Sequence, residues 1–176
     1  MNSSGHFLDE HTVRFERDLP CPLETAWSYL TQPGRLSTWL AEGTIEPRVG
    51  GKVSLSFDVE EVPERKDGGA FVEGVVTLCV PERVLAYTWA DPETPLANSE
   101  DPDSAVTFEL EPHDLHTKLT ITHRHLPSSM LARCAAGWHT HLDALMARIL
   151  NHKRESFLET WKKVLPAYEQ KAVPRR

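Results

Sequence analysis

The chain has 176 residues, of which 40% are hydrophobic and 26% are charged, a balance typical of a single soluble globular domain rather than a disordered chain. Its 26 acidic residues outnumber its 19 basic residues, so the formal net charge is −7. No basic run interrupts this excess, which argues against a nucleic-acid partner or an anionic membrane, because both bind clustered positive surfaces.

The cysteines and the apolar stretches indicate where the protein works. Cys21, Cys79 and Cys134 are odd in number, widely spaced and without a C-x-x-C pair, so they are expected to be free thiols in a reducing compartment. No apolar run reaches the roughly 20 residues that span a bilayer, and the first residues lack a signal-peptide pattern. The sequence therefore predicts a cytoplasmic protein.

The first third of the chain alternates between strand and helix patterns. In TVRFERDL, residues 12–19, charged residues separate Val13, Phe15 and Leu19, which predicts a half-buried strand. The segment LETAWSYLT has apolar residues at helical spacing. This predicts a helix, which Pro33 is expected to end. RLSTWLA then predicts a second short helix.

From Gly43 onward the apolar period becomes that of strands. The predicted strands, in chain order, are TIEP, KVSLSFDV, AFVEGVVTLCV, ERVLAYTWA, SAVTFELEP and HTKLTITHRHL. About five of them are long enough to form an antiparallel meander, which the first strand would close.

A long amphipathic helix follows, from Ser128 to near Leu150. Its apolar stripe is expected to contain Leu131, Ala135, Trp138, Leu142, Leu145 and Ile149. The later segment ESFLETWKKVL predicts a separate short helix before Pro166, docked either on the domain or on a second subunit.

This order of elements resembles the helix-grip fold of the START-like, or SRPBCC, superfamily. The stretches FERDLPCPLETAWSYLTQPGRLSTWL, VGGKVSLSF, ERVLAYTW and AAGWHTHLDAL look like the bacterial branch related to the activator of Hsp90 ATPase. The resemblance implies an α+β fold in which a curved antiparallel sheet wraps around a long C-terminal helix. We expect a flexible N-terminus at 1–11, a START-like domain at 12–151 and a helical extension and tail at 152–176.

The resemblance also implies a cavity between the sheet and the long helix, suited to small apolar or amphipathic molecules. The expected apolar wall consists of Trp39, Phe57, Phe71, Trp89, Trp138 and Leu142, with His123 and His141 as polar contacts. The alternative is that these large side chains simply fill a solid core.

Four histidines are candidate metal ligands. His139 and His141 lie about 200° apart around a helix, so they cannot hold one ion together. His141 could instead form a hydrogen bond at the edge of the cavity, and His139 is expected at the surface or rim. His123 and His125 are two residues apart on a strand and could bind zinc if a third ligand converged on them; otherwise His123 is a core or cavity residue held by a hydrogen bond. We predict no metal and no cofactor.

Three functions remain open at this point. The first is non-catalytic binding of a small hydrophobic or amphipathic ligand. The second is a protein-interaction module of the chaperone-activator type, which would use the acidic loop 91–103 and the last helix. A homodimer is a further expected assembly. The third is an enzyme acting on a molecule bound in the cavity, for which His123 is the only candidate dyad member, because the sequence contains no G-x-S-x-G or other catalytic motif.

Overall fold

An eight-strand antiparallel sheet forms the centre of the protein. The computed structural model describes residues 4–58, 70–90 and 104–172. The spatial order of the strands is β1-β2-β8-β7-β6-β5-β4-β3, so β2 closes the meander beside β8, as predicted. The strands are β1 (His6–Asp9), β2 (Thr12–Leu19), β3 (Glu42–Ile45), β4 (Lys52–Phe57), β5 (Ala70–Val80), β6 (Val84–Thr88), β7 (Ala105–His113) and β8 (His116–Arg124).

Helices follow β2 and β8, and the predicted α+β helix-grip architecture is confirmed. They are α1 (Leu23–Thr31), α2 (Pro33–Leu36), α3 (Leu131–Ile149) and α4 (Phe157–Ala172). The first helix ends at Thr31, two residues before Pro33, as predicted. Pro33 also begins α2, because the missing N–H of proline costs nothing at the first helical position. The predicted second helix RLSTWLA is shorter than expected, since residues 37–40 form turns. None of the helices in the described parts of the chain is long and apolar enough to cross a membrane.

The long helix α3 packs its apolar stripe on the sheet. Leu131, Ala135, Trp138, Leu142 and Leu145 are all buried, as the helical spacing predicted, whereas Ile149 at the end of the predicted stripe is only partly buried. Strand residues alternate in the same way, with Val13 and Phe15 of β2 pointing inward towards α3. The volume between α3 and the inner face of the sheet is therefore the core of the domain.

Part of the segment predicted to be flexible, residues 1–11, is a strand. In β1, His6 pairs with Arg14 and Phe7 with Val13, so β1 and β2 form a hairpin. Gly5 lies directly on the Phe15 ring, where any side chain would clash. The division of the chain into domains at residues 12 and 151 stays a prediction.

The strand β5 contains a bulge that changes which of its side chains face outward. The pairing with β6 shifts between Val76 and Leu78, leaving Thr77 as the extra residue. Val76 is buried, whereas Leu78 and Val80 are exposed. A strict alternation from Val76 would have turned both of them inward.

Helix α4 packs against α3 of its own chain and continues through Pro166, where the sequence predicted its end. Tyr168 holds this last part: its ring is 1% exposed, and its oxygen accepts a hydrogen bond of 2.8 Å from the Gly5 N–H. The same hydroxyl lies 2.8 Å from Nδ1 of His139. His139 was expected at the surface or rim, but it is a contact between helices, since α4 covers it.

Candidate functional site

The structure places most of the predicted cavity residues together between the sheet and α3. Trp89 is half-buried, and the others in this group are nearly inaccessible. The group consists of Trp39, Phe57, Trp89, His123, Trp138, His141 and Leu142.

Phe71 is the exception, and its predicted place in the wall has to be corrected. Its side chain is 46% exposed, because Val72 and Val76 are the inward residues of this part of β5 and Phe71 has the opposite phase. Glu73, two residues along the strand, shares this outward phase, but eight of the eleven residues of AFVEGVVTLCV are hydrophobic, so both faces of the strand carry apolar side chains.

Trp89 lies at the centre of an aromatic cluster. Its ring centroid is 5.7 Å from that of Phe57, 6.3 Å from Tyr87, 5.3 Å from His123 and 5.5 Å from Trp138. The Tyr87 and Trp89 rings are stacked at 13°, whereas Trp138 is tilted by 57° relative to Trp89. Because Trp89 is only half-buried, the cluster reaches the surface at this residue.

His123 is held in one tautomer by two neighbours. The indole N–H of Trp138 donates to Nδ1 of His123 at 3.0 Å. An indole can only donate, so Nδ1 is the acceptor and the proton of the neutral ring is on Nε2. Nε2 lies 2.5 Å from Oγ of Ser104 and therefore donates to it.

This tautomer is unsuited to catalysis by the Ser104–His123 pair. A general base needs an unprotonated nitrogen facing the hydroxyl that it activates. Here that nitrogen carries the proton, and burial lowers the pKa of His123 to about 3. The thiol of Cys134, 3.6 Å from Nδ1, is also kept protonated, because burial raises its pKa to about 12. His123 is therefore a structural histidine in this state.

His141 closes the other end of the cluster. Its Nδ1 donates to the carbonyl oxygen of Trp39 at 2.9 Å, which leaves Nε2 as an acceptor. Its ring lies 4.8 Å from Phe157 of α4 and 5.7 Å from Phe57. Burial lowers the pKa of His141 to about 4. The ring is therefore neutral at pH 7.

The hydroxyl of Tyr87 is the one interior polar group of the cluster, among the described residues, that lacks a hydrogen-bond partner. Tyr87 is 0% exposed, and its oxygen is buried without a donor or acceptor nearby. Burial raises the pKa of this phenol, so it remains a neutral O–H. An unpaired buried hydroxyl costs about 1–3 kcal/mol.

Sequence reasoning missed four members of this site. Tyr87 and Phe108 could have been found from strand phase, since each alternates with buried residues of β6 or β7. Ser104 and Phe157 had no such signal, because one precedes a strand and the other comes from a separate helix.

The structure does not support a metal site at His123 and His125. β8 ends at Arg124, and His125 is exposed with a φ of 58°, so the strand alternation that would align it with His123 is broken. Among the residues that the structure describes, no three His, Cys, Asp or Glu side chains converge.

A second feature outside this cluster is a buried arginine. Arg17 is in phase with Phe15 and Leu19 on the inner face of β2 and is only 8% exposed. Its Nη1 donates to the carbonyl oxygen of Glu16 at 3.0 Å, whereas the buried Nη2 has no partner. Burial lowers the pKa of the guanidinium. The Arg17 side chain lines a groove of about 670 Å³, and Asp143 of α3 lines the same groove.

Replacing this arginine by an apolar residue is expected to preserve or increase stability. Arg17→Met removes an incompletely paired buried charge and should change the free energy of unfolding by about 0 to +3 kcal/mol. Urea denaturation at pH 7 measures this, with Arg124→Met, at an exposed position of β8, as a control expected within about 0.5 kcal/mol of wild type. A loss above 2 kcal/mol for Arg17→Met would contradict the prediction.

Comparison with known proteins identifies the family. Residues 20–150 match the family described as "Activator of Hsp90 ATPase homolog 1-like protein". No curated protein matches the chain.

Solved structures share the fold. A protein from Bordetella parapertussis, solved by NMR, is 28% identical with a TM-score of 0.74 and covers 96% of this chain and 90% of its own. A protein from Mesorhizobium loti is 26% identical with a TM-score of 0.58 and covers 89% of this chain and 97% of its own. The Aha1 dimer from Colwellia psychrerythraea is 18% identical with a TM-score of 0.61, covers 78% of this chain and 95% of its own, and shows the fold alone.

The helix-grip architecture and the match over residues 20–150 lead to the same assignment: the chain belongs to the activator of Hsp90 ATPase homolog 1-like family, within the START-like superfamily.

Proposed function

We propose that the protein binds a small, uncharged hydrophobic or amphipathic molecule between the sheet and α3, without catalysing its conversion. The observation that carries this proposal is the unpaired Tyr87 hydroxyl inside the aromatic cluster. A buried hydroxyl without a partner favours a site that a polar group of a ligand completes.

The charge state of the cluster supports an uncharged ligand. His123, with a pKa of about 3, and His141, with a pKa of about 4, are neutral at pH 7, and the Tyr87 phenol is neutral as well. An ionised ligand group would have to leave water without gaining an opposite charge, at a cost of several kcal/mol. A flat aromatic ligand with one hydrogen-bond acceptor fits these conditions best.

The half-buried Trp89 is the proposed entry point. Its ring contacts Phe57, Tyr87, His123 and Trp138, so a displacement of this one side chain would open a path to the Tyr87 hydroxyl. Trp39 and Leu142 remain part of the proposed wall, behind His141 and Trp138.

A first experiment compares native and denaturing mass spectra of the freshly purified protein. A discrete extra mass that is lost on denaturation supports the proposal, and its identity gives the ligand class. If the native protein carries no such mass and also fails to bind added prodan, an uncharged naphthalene ketone, the aromatic cluster is a solid core and the proposal fails.

Replacing Tyr87 by phenylalanine separates a ligand contact from a packing role. Tyr87→Phe should raise the free energy of unfolding of the ligand-free protein by about 1 kcal/mol, because the unpaired hydroxyl is removed. It should also weaken prodan binding about five-fold, because the prodan carbonyl loses its donor. Urea denaturation and a fluorescence titration measure the two effects.

Tyr29→Phe is the matched control. Tyr29 lies half-buried on α1, where its ring packs against the Arg35 guanidinium at 5.0 Å. Removing the Tyr29 hydroxyl should leave the affinity for prodan unchanged. If wild type and Tyr87→Phe bind prodan with equal affinity, Tyr87 is not part of the binding site.

The protein-interaction alternative stays a prediction. Of its two expected contacts, the acidic loop 91–103 lies outside the described residues, and the last helix is α4, which packs on α3.

A further inference from the structure

The outer face of β5 carries a row of exposed apolar side chains. Phe71 is 46% exposed, Val75 47%, Leu78 45% and Val80 46%. These four residues define the β5 outer patch. At about 3.4 Å per residue the row is about 30 Å long. A solvated sheet face normally carries polar side chains, whereas this row has one charged residue, Glu73, among four large apolar ones. Such a concentration of exposed apolar side chains indicates an interaction surface.

The β-bulge at Thr77 creates the second half of this patch. Because the register shifts there, Leu78 pairs with Ala86 and Val80 with Val84, and both leucine and valine point outward. Without the bulge, Leu78 would have pointed into the core with Val76. Bulges that re-aim side chains are typical of functional surfaces, and this one exposes two large apolar residues at a cost in core burial.

The neighbouring strands keep the patch nearly free of charge. Ser54 and Ser56 lie on its β4 side, where Ser54 pairs with Glu73 and Ser56 with Phe71, and Ala86 lies on its β6 side. The outward residues of β4, β5 and β6 include two charged side chains, Lys52 and Glu73. Neither forms an ion pair among the residues that the structure describes.

We infer that the β5 outer patch is the contact surface of a homodimer, in which a second copy of the chain packs face to face on it. Two chains of net charge −7 repel each other unless they meet through a neutral face, and this face has one positive and one negative residue. A nucleic acid or an anionic membrane would require a basic surface.

The positions of Lys52 and Glu73 fit a two-fold axis. Lys52 is opposite Val75 in the β4–β5 ladder, and Glu73 is two residues before Val75 in β5, opposite Ser54. An axis between them brings Lys52 of each copy beside Glu73 of the other, so the dimer contains two equivalent ion pairs. Such self-complementarity is the defining property of an isologous contact.

Sedimentation velocity over a concentration series tests the surface. The full-length wild type is expected to sediment as a dimer, and Val75→Lys as a monomer at the same concentrations. Val75 is on the outer face, so the variant should fold, which its circular dichroism spectrum verifies. Leu115→Lys is the matched control, because Leu115 is 88% exposed in the β7–β8 turn, away from β5, and should leave the dimer intact.

A charge exchange tests the two-fold arrangement itself. Lys52→Glu and Glu73→Lys should each weaken the homodimer about ten-fold or more, because each places two like-charged pairs across the interface. Mixing the two variants in equal amounts should restore dimerisation, since the heterodimer again has two pairs of opposite charge.

Three outcomes would overturn the inference. One is a wild type that stays monomeric at every concentration, which would leave the patch to a different partner. Another is a dimer that Val75→Lys leaves intact, which would place the contact elsewhere. The third is a mixture of Lys52→Glu and Glu73→Lys that associates no better than either variant alone.

Discussion

Acidification from pH 7 to pH 5 is expected to lower the free energy of unfolding by about 4 kcal/mol. His123 and His141 are buried as neutral rings, with pKa values of about 3 and about 4 in the folded protein. In the unfolded chain both have a pKa near 6.5. The unfolded state therefore binds more protons below pH 6.5, and stability that is fully present above that pH is lost progressively as the pH falls towards 4.

Urea denaturation at half-unit steps between pH 7 and pH 5 measures this loss. The window excludes most of the titration of exposed carboxyl groups, which have pKa values near 4. His123→Gln and His141→Gln should each remove about half of the pH-dependent loss, whereas His116→Gln, at the exposed first residue of β8, should leave the slope as in wild type. A total loss below about 1 kcal/mol would contradict the burial of two neutral histidines.

Trp138→Ala is expected to destabilise the protein by about 3–5 kcal/mol, a large fraction of the stability of a domain of this size. Trp138 is 3% exposed and contacts Trp89, Phe108, His123 and His141 through its ring. Its removal leaves a large cavity and also deletes the indole hydrogen bond to Nδ1 of His123. Thermal or urea unfolding measures the loss, and a cost below 2 kcal/mol would show that the cluster collapses around the gap.

Trp138→Phe separates the hydrogen bond from the packing. Phenylalanine retains much of the ring volume but has no N–H, so the expected cost is smaller, about 1–3 kcal/mol. Without the indole N–H as a donor to Nδ1, His123 is no longer held in one tautomer. Nitrogen-15 NMR of the wild type should show an unprotonated Nδ1 and a protonated Nε2 on His123 at pH 7, and a changed tautomer ratio in the variant. A protonated Nδ1 in wild type would refute the assigned hydrogen-bond directions.

The consequence for function is that ligand binding and stability depend on the same aromatic side chains. Tyr87→Phe is the variant in which the two properties should move in opposite directions, because only the ligand would supply a partner for its hydroxyl. This opposition distinguishes the proposed site from a core that merely contains many rings.

The sequence by itself determined the architecture. The helical stripe of α3 was predictable because six apolar residues recur at steps of three and four, and the strand β2 because Val13, Phe15 and Leu19 alternate with charges. The order of these elements resembles the helix-grip fold, and stretches such as VGGKVSLSF and AAGWHTHLDAL carry the resemblance to the family. Most of the aromatic residues of the proposed wall were also predictable, since large apolar side chains on such elements face the common interior.

Only the tertiary structure decided the features that depend on contacts between distant parts of the chain. The tautomer of His123 is set by Trp138 and Ser104, which lie on other elements, and no spacing in the sequence encodes that geometry. The outward position of Phe71 and Leu78 depends on the phase of a strand with apolar residues on both faces and on the bulge within it. The sequence thus determines which segments fold and which faces they bury, whereas side-chain partners are decided by packing, because hydrogen bonds and register are fixed only when the elements meet.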